Sequence, residues 1–262
     1  MMSKPLLLLS NDDGYFAEGL QALARTMRDI ADILVVAPDQ NCSGVSHKIS
    51  LSTPLRLRKV DRNTYALNGS PADCIHVALH VLMKDRKPDL VLSGINHGVN
   101  LGEDTAYSGT VAAAYEAQAH GIPALAVSTN QTKSGLFHFK NTARVARLFA
   151  RKVLNGEIAN TAMWNINVPP LSSRGMKFTR LDNRSFKSSV IERKDPRGIP
   201  YYWLGPYHPT YEAVEGTDYS AYREGFISAT PLKIDMTHNR VLNSMDAKAA
   251  EQLYREFQNE SD

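Results

Sequence analysis

Asp12 and Asp13 stand side by side after an apolar run, Leu6–Ser10, and between Asn11 and Gly14. Adjacent carboxylates at a strand end are costly when both stay charged without a partner, and a divalent cation removes that cost. Hard oxygen ligands of this kind favour magnesium, manganese or calcium over zinc. The same residues also make an ordinary Asp-Gly turn with one Asp capping the next helix, so the pair alone does not decide. A second polar group runs from Asp39 to His47. Its Ser43-Gly44 offers a hydroxyl and open backbone N–H groups to an anion, and His47 is a candidate general acid or phosphate donor. An ordinary polar loop containing a solvated histidine has the same composition. Asn96 can give an amide oxygen to a metal or an amide N–H to a phosphate. Ser108-Gly109-Thr110 precedes Val111–Ala119, which reads as a helix. Free N–H groups, hydroxyls and the positive dipole end converge at such a start. Helix capping by Ser108 or Thr110 uses the same groups.

The elements that must hold these residues are short apolar runs alternating with amphipathic stretches. Leu6–Ser10, Ile33–Ala37, Leu90–Ser93 and Ala124–Ser128 read as strands covered on both faces, as in a parallel sheet. Glu18–Arg28 places Leu20, Leu23, Ala24 and Met27 on one helical face. This alternation predicts a doubly wound α/β fold, in which ligands bind beyond the carboxyl ends of the strands. The two carboxylates, Ser43, Asn96 and the Ser-Gly-Thr helix start all fall at that end. Hard-metal ligands beside a phosphate cradle point to metal-assisted phosphoryl chemistry.

Leu51–Arg58 and Thr64–Leu67 alternate around Asp61-Arg62-Asn63 and predict an inserted β-hairpin. Ser70 as N-cap, Pro71 at the first helical position and Asp73 as the capping-box acid start another helix, with Ile75, Leu79 and Leu82 as its apolar stripe. Beyond about Asn183 the pattern changes. Val190–Arg193 and Ile199–Leu204 flank Pro196-Arg197-Gly198 as a second hairpin. Tyr201, Tyr202, Trp203, Tyr207 and Tyr211 make this stretch aromatic but poor in aliphatic residues. It cannot build its own core, so it either packs on the same subunit or exchanges with a partner chain. Phe226–Ala229 reads as a strand and Ala247–Phe257 as a closing amphipathic helix. The predicted division is a catalytic core over 1–182 and a C-terminal extension over 183–262.

The chain has 262 residues, 43% hydrophobic and 22% charged, enough for one large α/β domain and contrary to disorder. A net charge of +3 does not suit a surface that coats nucleic acid, so no stable nucleic-acid complex is expected. Cys42 and Cys74 exclude a disulfide scaffold and suit a reduced, cytoplasmic setting. Pro5–Leu9 is too short for a signal-peptide core, and no apolar stretch approaches a membrane span. P-loop, H-E-x-x-H and G-x-S-x-G motifs are absent.

Five motifs occur in a fixed order: Ser10-Asn11-Asp12-Asp13-Gly14; Val36-Ala37-Pro38-Asp39 with Ser43-Gly44-Val45-Ser46-His47; Gly69-Ser70-Pro71-Ala72-Asp73-Cys74; Ser93-Gly94-Ile95-Asn96; and Tyr107-Ser108-Gly109-Thr110-Val111. Together with Glu215-Gly216-Thr217-Asp218 and Thr230-Pro231-Leu232, the sequence resembles the SurE family over nearly its whole length. The resemblance implies a Rossmann-like core and a C-terminal arm exchanged in a homodimer or homotetramer. It implies a metal-dependent phosphatase for nucleoside 5′- and 3′-monophosphates, with polyphosphate as a further substrate. Carried over, the ligands of one divalent cation per subunit, magnesium, manganese or another, are Asp12, Asp13, Ser43 and Asn96. Asn11, Gly44, Ser108, Gly109 and Thr110 surround the phosphate. Ser70 stands where the family often has Thr, while His97 and Lys48 occupy variable positions that bear on substrate preference. In this scheme Asp12 or Asp13 also orients the attacking water, and His47 assists the leaving oxygen. Two alternatives stay open: a covalent aspartyl nucleophile at Asp12, which the missing Asp-x-Asp disfavours, and a nucleotide-binding module without turnover.

Overall fold

The apolar runs read as strands become the middle of one sheet. The computed structural model describes residues 4–185, 190–204, 210–245 and 247–259. In chain order the first elements are β1 (Leu6–Ser10), α1 (Glu18–Met27), β2 (Asp32–Pro38), β3 (Leu57–Asp61), β4 (Thr64–Leu67) and α2 (Pro71–Val77), which runs on into a π-helical turn, Ala78–Leu82. Then come β5 (Leu90–His97), a 3-10 turn (Gly102–Ala106), α3 (Gly109–Ala119), β6 (Ala124–Thr129), α4 (Phe139–Leu154), β7 (Met163–Val168) and β8 (Met176–Phe178). The chain continues with β9 (Arg184–Ser185), β10 (Val190–Lys194), β11 (Pro200–Leu204), β12 (Thr210–Tyr211), α5 (Asp218–Arg223), β13 (Ile227–Leu232), α6 (Asn239–Leu242) and α7 (Ala247–Asn259). Residues up to Leu232 form one compact unit, and those from Lys233 a second.

In the larger unit the strands are ordered β3-β4-β2-β1-β5-β6-β7-β13-β8. Pairing is parallel from β4 through β7, while β3 and β13 run antiparallel to their neighbours β4 and β7. Alternate residues of β1 enter different cores. Leu7 and Leu9 join α1 and α4 residues such as Leu20, Leu23 and Phe149, whereas Leu8 joins Ile75 of α2 and Ala113 and Ala117 of α3. Helices therefore cover both faces, which is why β1 and β5 begin as apolar runs, residues 6–9 and 90–92. The predicted doubly wound, mostly parallel α/β fold is the one observed. From β1 the chain steps to β2 on one side and returns as β5 on the other. The switch point thus lies between β1 and β5, where this architecture leaves a crevice.

Local chemistry explains the helix starts. Ser70 accepts the Asp73 N–H at 3.1 Å, and the Asp73 carboxylate accepts the Ser70 N–H at 2.9 Å, closing the predicted capping box. Ser108 caps α3 by accepting the Val111 N–H at 3.1 Å. α1 has no side-chain cap at Ala17, and its buried face of Leu20, Leu23, Ala24 and Met27 holds it instead.

The first hairpin differs from its expected limits. Strand structure begins at Leu57, since Leu51, Ser52 and Thr53 are exposed and Pro54 interrupts the ladder. The hairpin is the edge of the main sheet, with β4 paired to β2. β13 lies in the predicted extension, yet it is a strand of the main sheet with Ala229 fully buried. The second hairpin pairs Val190 with Leu204 and Lys194 with Pro200. Tyr207 lies outside the described residues. In the smaller unit α7 exposes Leu253, Tyr254 and Phe257.

Candidate active site at the carboxyl ends of the strands

β1 pairs with β2 and β5, so its carboxyl end delivers Asn11, Asp12 and Asp13 into the switch-point crevice. Both carboxylates are buried, Asp12 at 3% and Asp13 at 7% exposure. The Thr110 hydroxyl donates to Asp12 Oδ1 at 2.5 Å, and the Thr110 backbone N–H also faces this carboxylate. Asp12 therefore sits on the positive start of α3. That contact depends on Gly109, because a Cβ there would lie 2.8 Å from Asp12 Cβ. Asp13 Oδ2 accepts the backbone N–H of His97 at 3.2 Å. The Asp12 carbonyl accepts the Cys42 N–H at 2.7 Å, tying the loop after β2 to the same corner.

Burial is the main cause that lifts Asp12 from its ordinary 3.8 to about 6; Thr110 lowers it and repulsion from Asp13 adds to the rise. Asp13 is also raised, again first by burial, with His97 opposing. No positive charge is among the main influences on Asp12. The Asn11 side chain donates to the Gly14 carbonyl at 3.0 Å, while its buried Oδ1 has no partner among the described residues. Two adjacent buried acids, beside an orphaned amide oxygen, are a donor set that fits a hard divalent cation.

Asn96 reaches this corner through a bulge, where the β5–β6 register shifts between Gly94 and Asn96. Gly94 has φ +133°, and a Cβ there would meet the Val127 carbonyl oxygen at 2.3 Å, so only glycine fits. The Asn96 amide donates to the Gly98 carbonyl at 2.8 Å, which leaves its Oδ1 as an acceptor. Ser43 is exposed, and both its N–H and its hydroxyl donate to Asn41 Oδ1, at 2.8 and 2.7 Å. Gly44 is exposed beside it with φ +73°.

Two other residues have side chains committed elsewhere. The Ser108 oxygen caps α3, and the Thr110 hydroxyl serves Asp12. His47 faces Glu116 at 2.9 Å and tilts against Tyr115, with no described bond to Asp12, Asp13 or Asn96. Cys74 is fully buried, as a core residue, and its thiol is pushed well up by that burial.

Sequence reading missed an aromatic stack beside the acidic pair. The His97 ring lies 4.9 Å from Phe139 and 5.0 Å from Phe137, and those two phenyl rings are stacked at 5.0 Å and 4°. The Phe-x-Phe spacing was visible, but nothing linked it to β5. It also missed Glu116, a buried acid that meets three histidines.

Fold and site define a Rossmann-like α/β protein with an acidic, oxygen-rich crevice at its switch point. The family model for survival protein SurE matches residues 7–188. The 5′-nucleotidase SurE of Vibrio parahaemolyticus is 47% identical over 249 residues, 94% of this chain and 95% of that protein. The 5′-nucleotidase SurE of Vibrio cholerae is 47% identical over 243 residues, 92% of this chain and 96% of that one. Among solved structures, the SurE protein of Aquifex aeolicus superposes with a TM-score of 0.80 at 42% identity, covering 92% of this chain and 98% of that one. The chain belongs to the SurE family.

Proposed function

We propose that the protein is a divalent-cation-dependent nucleotidase that hydrolyses nucleoside 5′- and 3′-monophosphates and, more broadly, polyphosphate. The reaction class, phosphoric monoester hydrolysis, rests on the family and on relatives named 5′-nucleotidase. The cation rests on one observation above all: adjacent buried carboxylates, both raised by burial, at the switch point of the sheet. Asp12, Asp13, Ser43 and Asn96 would hold one magnesium, manganese or similar ion per subunit. When bound, such an ion supplies charge neutralisation for the phosphate and activation of water.

The chain's own groups do the positioning. Thr110 fixes Asp12, and the His97 amide fixes Asp13, so neither acid swings away when a phosphate approaches. Asn11, Gly44, Ser108 and the α3 start at Gly109 surround the place for the phosphate. One of the acids orients the attacking water. We place the nucleoside on the His97–Phe137–Phe139 stack, where a base finds an aromatic face. The His47 Nε2 faces an acceptor carboxylate and so carries a proton there, which suits a donor to the leaving oxygen only if the loop shifts. The exposed β10–β11 hairpin supports a homodimer or homotetramer, and two unpaired cysteines suit the cytoplasm. Among the described residues no helix is long and apolar enough to cross a membrane.

The test is phosphate release from AMP by chelated protein, followed by addition of Mn²⁺ or Mg²⁺. Activity is expected to vanish and return. Full turnover without the ion, or AMP binding without release under every metal tried, overturns the proposal.

A further inference from the structure

Away from the acidic crevice, three histidines from two helical segments converge. His76 lies in α2, His80 one turn on in the π-helical segment, and His120 just past the end of α3. One ring nitrogen from each lies within 4.8 Å of the other two. The rings touch in all three pairs, with centroids 4.3, 5.5 and 5.2 Å apart.

Each ring also has one nitrogen already spoken for. His80 Nδ1 faces the His76 carbonyl at 2.8 Å. His76 Nδ1 and His120 Nε2 both face Glu116 Oε1, each at 3.2 Å. Carbonyl and carboxylate oxygens only accept, so these nitrogens carry the protons of the neutral rings. The lone pairs are then left on Nε2 of His76, Nε2 of His80 and Nδ1 of His120. A carboxylate that orients ligating imidazoles is the usual outer partner of a zinc site. Glu116 is built for it: its side chain is only 8% exposed and stays ionised, because the His47 hydrogen bond above all, with His76 and His120, holds its pKa down at about 2.

We propose that His76, His80 and His120 form a second metal site, for Zn²⁺ or another borderline divalent ion that prefers imidazole, with Glu116 as its outer carboxylate. Three nitrogens and no oxygen ligands distinguish it from the hard-oxygen set at Asp12 and Asp13. A tetrahedral centre with Zn–N of about 2.0 Å holds its nitrogens about 3.3 Å apart, closer than the present span of up to 4.8 Å, and His76 and His80 are exposed, where a ring can turn towards an ion. The bound ion would clamp α2 to the end of α3. Through Glu116 it also bears on His47, in the loop that carries Ser43.

The experiment uses tag-free, full-length protein with Mg²⁺ in excess, titrated with Zn²⁺ against a colorimetric chelator, and separately with Co²⁺ by visible absorption. One Zn²⁺ equivalent per chain is expected, with the intense Co²⁺ spectrum of a low-coordinate nitrogen site. His80→Ala, at an exposed position that leaves the core intact, should weaken Zn²⁺ at least about tenfold, and Glu116→Gln about tenfold. Zn²⁺ should raise the melting temperature of the parent protein but not of His80→Ala. Asp12→Asn/Asp13→Asn should keep the site, which separates it from the proposed catalytic one. Unchanged Zn²⁺ affinity in His80→Ala and in His76→Ala/His120→Ala, or no Zn²⁺ uptake beyond what Asp12→Asn/Asp13→Asn removes, overturns the proposal and leaves Glu116 as an ion-pair hub.

Discussion

At the carboxyl end of β1, polar side chains are buried; along β10 and β11, apolar side chains are exposed. Asp12, Asp13 and Asn11 are shut away from water with few partners, whereas Tyr202, Trp203 and Leu204 stand 61%, 60% and 87% exposed. Each region inverts the usual distribution of polar and apolar groups. The inversions ask for different complements. A buried acid pair is relieved by a cation, which is small and reversible. An exposed aromatic ladder is relieved only by another protein surface. The first is therefore read as chemistry and the second as assembly, and the two should respond to different perturbations.

The largest effect should come from the acids. Asp13→Asn should lower kcat for AMP about a thousandfold, since several kcal/mol of cation-dependent stabilisation at about 1.4 kcal/mol per factor of ten is at stake. Its native mass should stay that of the parent. A loss below tenfold would detach the acid pair from catalysis. Next comes the hairpin: deleting Asp195–Tyr211, or replacing Trp203 and Leu204 by Asp, should bring the mass measured by light scattering down towards the 29.0 kDa of one chain. An unchanged mass would make the hairpin a surface meander and break the comparison on that side.

The third effect is on stability. Asp12 keeps its proton to about 6 when folded and to 3.8 when not. Between those values the folded state binds more protons, so chelated protein loses stability as pH rises from 3.8 through 6. The cost at neutral pH is on the order of 2–3 kcal/mol. Melting temperatures of chelated protein should fall across this window, and Asp12→Asn should flatten the decline. The smallest effect is at the aromatic stack. Phe137→Ala should raise KM for nucleoside monophosphates about fivefold, as for stacking worth about 1 kcal/mol, with kcat unchanged. Ribose 5-phosphate should not notice the change, and an equal effect on both substrates would remove the base from this stack.

The same contrast governs what was legible in the sequence. β1, β2, β5 and β6 were readable because both faces of each are covered, leaving unbroken apolar runs. β7 was not, because Asn165 and Asn167 interrupt Met163–Val168 at fully buried positions. Their amides donate to the Asn100 carbonyl at 2.7 and 3.0 Å, a tertiary arrangement that no local pattern announces. α4 was passed over because its buried face is built partly from small residues, Thr142, Ala143, Ala146 and Ala150, among many Lys and Arg, and His138 gives it no side-chain cap. At the site, strand ends pointed to Asp12, Asp13 and Asn96, and the His97 N–H on Asp13 brings the ends of β1 and β5 together. The use of the Thr110 hydroxyl was hidden, since a helix-start threonine looks alike whether it serves a phosphate or an acid. The three-histidine cluster was half visible in the one-turn spacing of His76 and His80, but His120 joins only through the packing of α3.

The position of β13 has a consequence for the order in which the protein is made. It lies between β7 and β8, antiparallel to one and parallel to the other, and is the last strand among the described residues. Until residues 227–232 leave the ribosome, the outer edge of β7 has no partner and β8 has no sheet to join. A nascent chain ending near residue 188, where the family match stops, would carry the whole acidic crevice together with a raw hydrogen-bonding edge. The crevice residues are thus encoded early, and the strand that covers the edge of β7 late.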